Sequence, residues 1–293
     1  MTGAQGALPQ HDRLADEATS VQRDYMNAGT NIVTMRHAPL RRIAVGALAT
    51  SIVFALVGCI AEPASSPRAS STVSAIPSAS PTPTPIPTPT FNKHALSIDD
   101  PNSIWVVADK LRPLNPQDYV PPDLVATPVP HLNPSTLRKA AADAIVTMFA
   151  AAKAEGAGAM QLQSAYRSYA VQVKVYNGLV RSAGQAGADA QSARPGTSEH
   201  QAGLAADIST LPLTCALAAC FGKTPQGVWL AANAYRFGFI LRYPADKVPI
   251  TGYMYEPWHF RYVGVELSTE MHNTGITTLE EFFGLPPAPD YAH

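Results

Sequence analysis

Charged side chains are scarce in this 293-residue chain: Asp, Glu, Lys and Arg make up 15% of it, and the formal net charge is −1. Without a basic surplus there is no electrostatic footprint for nucleic acid or other polyanions, which need clustered Lys and Arg. No nucleic-acid partner is therefore expected. A Gly-rich phosphate-binding loop is missing too. Cysteine is nearly absent, with only Cys59, Cys215 and Cys220, too few for an all-thiolate zinc site. The one marked apolar run, residues 43–57, is 15 residues long. At ~1.5 Å per residue it reaches roughly 22 Å, short of the ~30 Å hydrocarbon core of a bilayer. Small, nearly neutral substrates fit these absences best.

What is present is unevenly spread. Arg36, His37, Arg41 and Arg42 precede the apolar run, which leads into Leu56-Val57-Gly58-Cys59. A basic region, an apolar region and small residues follow one another as in a secretory signal. The tetrapeptide resembles the lipobox of bacterial lipoproteins, which implies lipidation of Cys59; a signal anchor with a buried cysteine is the alternative. Residues 35–58 are read as the signal segment. Residues 1–34 are read as a disordered extension or a mis-assigned start, with Met35 the alternative first residue. From 61 to 90 the chain is almost wholly Ser, Thr, Pro and Ala, a composition that buries no core and favours extended polyproline II. Thirty such residues at ~3.1 Å each span on the order of 90 Å. Residues 59–95 thus read as a tether, and the protein is expected to be exported, membrane-anchored through a lipid or the signal itself, and facing the cell wall. In that setting Cys215 and Cys220, five apart, read as a short disulfide, with two free thiols the alternative.

Residues 96–285 carry the signals of one globular domain, with 286–293 as a tail. Ser135 is a plausible N-cap for a helix ending near Gly156. Residues 160–166 read as a strand, and Ser168 caps a second helix that stops near Ser182, ahead of Gly184. Thr224-Pro225 opens a third helix, with Gly238 beyond its end. Residues 239–243, 253–255 and 258–263 read as strands, and Thr278 with Glu281 has capping-box spacing for a final short helix. Helices and strands mixed without a βαβ repeat predict an α+β domain with a largely antiparallel sheet.

Two segments hold the chemistry-bearing residues: Ser198-Glu199-His200-Gln201-Ala202-Gly203-Leu204-Ala205-Ala206-Asp207 and Glu256-Pro257-Trp258-His259-Phe260-Arg261-Tyr262. Each alone is weak, because a lone histidine is more often a satisfied structural residue than a ligand. The other six histidines, at 11, 37, 94, 131, 272 and 293, receive no role. Together the segments offer two imidazoles and carboxylates, and a glycine that allows a tight backbone path. Three N/O ligands with an open water position suit a catalytic zinc, and a further carboxylate can take the water's proton. Glu256 and His259 are three apart, so a regular strand would point them to opposite faces. Both can face one cleft only if the chain breaks at Pro257.

This pair of segments resembles the two signature motifs of the VanY-type D-alanyl-D-alanine carboxypeptidases, S-x-H-x-x-G-x-A-x-D and E-x-W-H-x-R-Y. Ser198, His200, Gly203, Ala205 and Asp207 match the first; Glu256, Trp258, His259, Arg261 and Tyr262 match the second. Ser164-Ala165-Tyr166-Arg167-Ser168, with Gln172 following, is similar to a third element of the family, and residues 106–125 are similar as well. The likeness covers about residues 100 to 283. It implies the fold shared by these peptidases and the hedgehog signalling domain, with helices flanking a mostly antiparallel sheet. It implies Zn2+ held by His200, Asp207 and His259, with Glu256 as catalytic base. Arg167, Ser198 and Gln172 are implied to meet the substrate, a peptidoglycan stem peptide. Trp258 and Tyr262 read as packing or support for His259, and Arg261 as structural. Glu199 falls on no motif position and receives no role. An L,D-carboxypeptidase, a zinc-bearing module without catalysis and a wall-anchored structural protein are the alternatives.

Overall fold

The computed structural model describes residues 91–292. The readings of residues 1–34, of the 35–58 signal, of Cys59 and of the tether up to residue 90 lie outside the described residues. Two short strands, β1 (Leu124–Ala126) and β2 (Thr136–Arg138), pair antiparallel and lead into helix α1 (Lys139–Ala154). Strand β3 (Ala159–Ser164) follows, then α2 (Tyr169–Gln191), β4 (Ala205–Leu211), α3 (Pro225–Asn233), β5 (Phe239–Leu241), the single turn α4 (Val248–Thr251), β6 (His259–Tyr262), α5 (Val265–Thr274) and α6 (Leu279–Phe283). The last four strands form one sheet in the order β3-β4-β6-β5, antiparallel throughout.

Side chains alternate across a strand, and here the alternation sorts apolar from polar. Met160 and Leu162 of β3, Ala206 and Ile208 of β4, Phe260 of β6 and Phe239 of β5 join one core with Ile145, Met148 and Phe149 of α1. The intervening residues of β3, β4 and β6 are Gln161 and Gln163, Asp207 and Ser209, and His259 and Arg261, all buried. This polar face is tied together where Ser209 Oγ donates to Gln163 Oε1 at 2.8 Å. A second core lies against its edge, where Ile240 and Val263 meet Leu267 and Met271 of α5, Leu279 and Phe282 of α6, and Trp105 and Val107. Each fully buried Leu, Ile or Phe contributes about 1.5–3 kcal/mol relative to exposure. Phe91, assigned by composition to the tether, stacks on Trp105 at 5.6 Å and meets Phe282 edge-on.

Several elements differ from the sequence reading. Helix α1 starts at Lys139, not after Ser135, because residues 136–138 are taken by pairing with β1. Ser135 instead donates its hydroxyl to the Thr127 carbonyl. Ser168 does cap α2, accepting from Val171 N. Gly184 breaks the helix at φ 74° and ψ 170°, but helix resumes to Gln191. Residues 253–255 form no strand; Met254 N donates to Ala190 O, at the end of α2. Thr224 and Thr278 cap their helices as expected. Helix α5 has only a narrow apolar stripe, Leu267 and Met271, and gave no periodic signal. Cys215 and Cys220 are joined, with Cα atoms 5.6 Å apart. Among the described residues no helix is long and apolar enough to cross a membrane.

Candidate active site

The site forms on the polar face where β4 and β6 run side by side, with Asp207 opposite His259 in the register. His200 arrives from a tight turn ahead of β4, in which Gln201, Ala202 and Gly203 donate back to Ser198, Glu199 and His200. The turn needs glycine at 203: φ is +67°, and a Cβ there would approach Arg138 Cγ and Leu124 Cδ2 at 3.0 Å. Beside Asp207, β3 carries a bulge between Leu162 and Ser164, a device that re-aims side chains at active sites. Glu256 precedes β6, and the chain turns through Pro257-Trp258 so that His259 N donates to Glu256 O at 3.1 Å. The expected break at Pro257 is there, and Glu256 Oε2 lies 3.8 Å from His259 Nδ1. Tyr255 and Pro257 rest on the loop after the disulfide, where a Cβ at Gly222 would strike the Tyr255 hydroxyl.

His200, Asp207 and His259 each point a donor atom into one spot, the three atoms within 4.8 Å of one another. Asp207 bridges the two rings, Oδ2 to His200 Nε2 at 3.3 Å and Oδ1 to His259 Nδ1 at 3.1 Å. The rings stand 5.0 Å apart and perpendicular. The far nitrogen of each ring has its own partner: His200 Nδ1 is 2.7 Å from Ala165 O, and His259 Nε2 is 3.3 Å from Glu199 Oε2. That leaves His200 Nε2 and His259 Nδ1 facing Asp207, and each would serve as a ligand once it carries no proton. Two imidazole nitrogens and a carboxylate so arranged fit a borderline-soft divalent cation such as zinc.

Burial dominates the electrostatics. Burial, helped by the positive charge of Arg167, lowers the pKa of His200 to about 4. Burial also works against a charged His259, yet hydrogen bonds to Asp207 and Glu199 lift it to about 9. The same burial would raise Asp207, but the adjacent histidines hold its carboxyl well below the usual carboxylate range. Glu256 gains too little from His259 to offset its burial and is pushed up to about 8. Two carboxylates in one pocket are thus driven apart, the pattern by which acid–base roles are divided.

Of the three residues expected to meet substrate, Arg167 lies beside the cluster, whereas Gln172 is enclosed and its amide is committed to the protein's own loop. Arg167 N donates to His200 O at 3.2 Å, and its charge is felt at both His200 and Glu256. Ser198 is buried two residues ahead of His200. Gln172 is fully enclosed, with Nε2 donating to Ser192 Oγ at 3.1 Å and Ala193 O at 2.7 Å, so its amide holds the loop leading to Ser198. Arg261 is structural, bonded to Glu199 and to the carbonyls of Ile104 and Val106. Sequence reasoning passed over Glu199, which lies against His259. The signal that could have found it was its place directly before His200.

Three N/O donors with a further carboxylate at their edge could hold a divalent cation with an open position. The sequence model of the VanY D-alanyl-D-alanine carboxypeptidases matches residues 134–265. The candidate carboxypeptidase YodJ of Bacillus subtilis (strain 168) is 42% identical over 192 residues, covering 64% of this chain and 69% of that protein. The solved structure of the LD-carboxypeptidase LdcB, which describes the basis of its peptidoglycan recognition, superposes with a TM-score of 0.58 at 42% identity, covering 63% of this chain and 87% of LdcB. The vancomycin-resistance D,D-pentapeptidase VanY in complex with Zn(II) gives a TM-score of 0.52 at 33% identity, covering 61% of this chain and 98% of that one. The chain belongs to the VanY-type D-alanyl-D-alanine carboxypeptidase family, and its α+β fold is the hedgehog-like fold of those peptidases.

Proposed function

We propose that this protein is a zinc-dependent D,D-carboxypeptidase that removes the terminal D-alanine from peptidoglycan stem peptides. The observation that carries the reading is the convergence of His200, Asp207 and His259 within 4.8 Å, with the Glu256 carboxylate at 3.8 Å from one of those ligands. Bound there, zinc supplies a Lewis acid that acidifies water and polarises the scissile carbonyl. Glu256 takes the proton of the attacking water as the new C–O bond forms, then hands it to the leaving amine as the C–N bond breaks. Burial raises its pKa in the metal-free site, and a divalent cation held beside it would favour the ionised form that a base needs. Arg167 and Ser198 receive the terminal carboxylate of the substrate, the planar guanidinium pairing with it. Gln172 keeps the Ser198 loop in register. The domain, which begins at Phe91, works outside the membrane, carried on the tether that starts at a lipidated Cys59 or follows an uncleaved signal anchor, and facing the cell wall.

The L,D reading has its own support, because LdcB is an LD-carboxypeptidase and shares 42% identity with this chain. Purified protein with zinc, given pentapeptide and tetrapeptide stems side by side, is expected to release alanine from the pentapeptide. Release from the tetrapeptide alone removes the D,D assignment.

Chelator-treated protein is expected to lose stability as pH rises from about 6.5 to 9. Folded His259 holds its proton to about 9 against 6.5 for the model value, and folded Glu256 to about 8 against 4.5. Over these windows the folded state binds more protons than the unfolded chain, so the unfolding free energy falls with rising pH. His200, lowered to about 4, acts in the opposite sense only below pH 6.5. The loss is on the order of a few kcal/mol. Thermal melts across this range check it; a Tm that stays level or climbs contradicts the assigned protonation states.

A further inference from the structure

Glu199 touches the proposed cradle without belonging to its ligands. Its side chain has no exposure, and Oε2 lies 3.3 Å from His259 Nε2. Its Oε1 accepts from Arg242 Nε at 2.8 Å and from Arg261 Nη1 at 2.9 Å. Arg242 grips Glu280 of α6 with both terminal nitrogens, at 2.9 and 2.7 Å. Two guanidiniums and two carboxylates therefore run in an unbroken chain from His259 to the C-terminal helix, each side chain 1% exposed or less. Such a network is often less stabilising than apolar side chains of equal volume. Packing alone does not account for it.

We infer that Glu199 is a positioning residue, which accepts the Nε2–H of His259 and so keeps Nδ1 turned toward Asp207 and the cradle. The inference rests on the metal reading of the site. Both histidines need one nitrogen committed outward for the other to serve as donor. His200 has a backbone carbonyl for this, Ala165 O, which no substitution at position 165 removes. His259 relies on a carboxylate, and that contact can be deleted. The two arginines have a further effect. By binding Oε1 together, they hold Glu199 back from the cradle, so that it steers a ligand instead of becoming one.

Glu199→Gln keeps the side-chain volume and gives up the charge. In the full domain with its tether, zinc affinity measured by competition with a chromophoric chelator is expected to fall roughly 10- to 100-fold. Turnover should return when zinc is supplied in excess, with KM for the stem peptide unchanged. Glu280→Gln loosens the far end of Arg242 and leaves the His259 contact alone; it is expected to lower Tm with parental zinc affinity. In 15N-labelled protein the His259 ring should show a single Nε2–H form in the parent and exchange between ring orientations in Glu199→Gln. Parental zinc affinity in folded Glu199→Gln overturns the inference, as does an equal loss in Glu280→Gln. Should Glu199→Gln fail to fold, Glu199→Asp retains the charge for the arginines but draws the carboxylate back by one methylene, and the same drop in affinity is required of it. A parent that binds no zinc overturns the metal reading and this inference with it; a zinc-binding parent matched by the variants overturns this one alone.

Discussion

Glu256→Gln is expected to retain stoichiometric zinc and to lose hydrolysis of stem peptides by roughly 10²- to 10⁴-fold, the range a positioned general base contributes. Glutamine fills the same volume, and Glu256 is not among the three clustered donors, so the cradle should survive. What disappears is the carboxylate that lies 3.8 Å from His259 Nδ1 and is bound by neither Arg242 nor Arg261. The folded environment has already tuned that group, since burial raises its pKa to about 8. Burying a neutral amide there also costs less than burying an ionised carboxylate. The chelator-treated variant should therefore melt higher than the parent at pH 9, while being inactive when loaded. Metal analysis and a stem-peptide assay on the same preparation decide the matter. Turnover within a few-fold of the parent would exclude Glu256 as the base.

Asp207→Asn is expected to abolish both zinc retention and activity, with an affinity loss beyond the roughly 10- to 100-fold typical of an outer-shell change. Asp207 is buried, and its two oxygens reach His200 and His259 at 3.3 and 3.1 Å. Among the described residues it is the one carboxylate that reaches both rings. An asparagine presents one oxygen and one NH2, so one histidine nitrogen would face a donor. A chelator should silence the parent, and zinc added back should restore it, whereas the variant should stay silent. An Asp207→Asn protein carrying one zinc per chain and hydrolysing normally would dissolve the cradle as drawn.

Much of the site was legible from spacing. The segments around His200 and His259 carry their residues in an order and separation that the fold turns into adjacent strand positions, and Pro257 signalled the break that lets Glu256 join them. Gly203 was legible as the residue of a tight turn, and its φ of +67° is what the turn requires. Other elements were not readable locally. Ser135 looks like a helix cap until β1 pairs with residues 136–138 and takes them into a ribbon. Residues 253–255 have strand composition, but strands exist only where a partner edge is available. Gly184 marked a helix end correctly, yet the chain beyond it found enough contacts to wind again, burying Ala188 and Asp189.

By itself the sequence determined the alternation that makes one face of the inner strands apolar and the other polar, the caps at Ser168, Thr224 and Thr278, and the identities of the two imidazoles and two carboxylates of the site. These depend on neighbours within a few positions, where helix and strand periods operate. Only the tertiary structure decided that Glu199 meets His259 60 positions away, that Arg242 carries the contact on to Glu280, and which nitrogen of each ring faces inward. Those outcomes follow from burial and strand register, which bring distant charges together in a medium too poor in water to leave any of them unmatched.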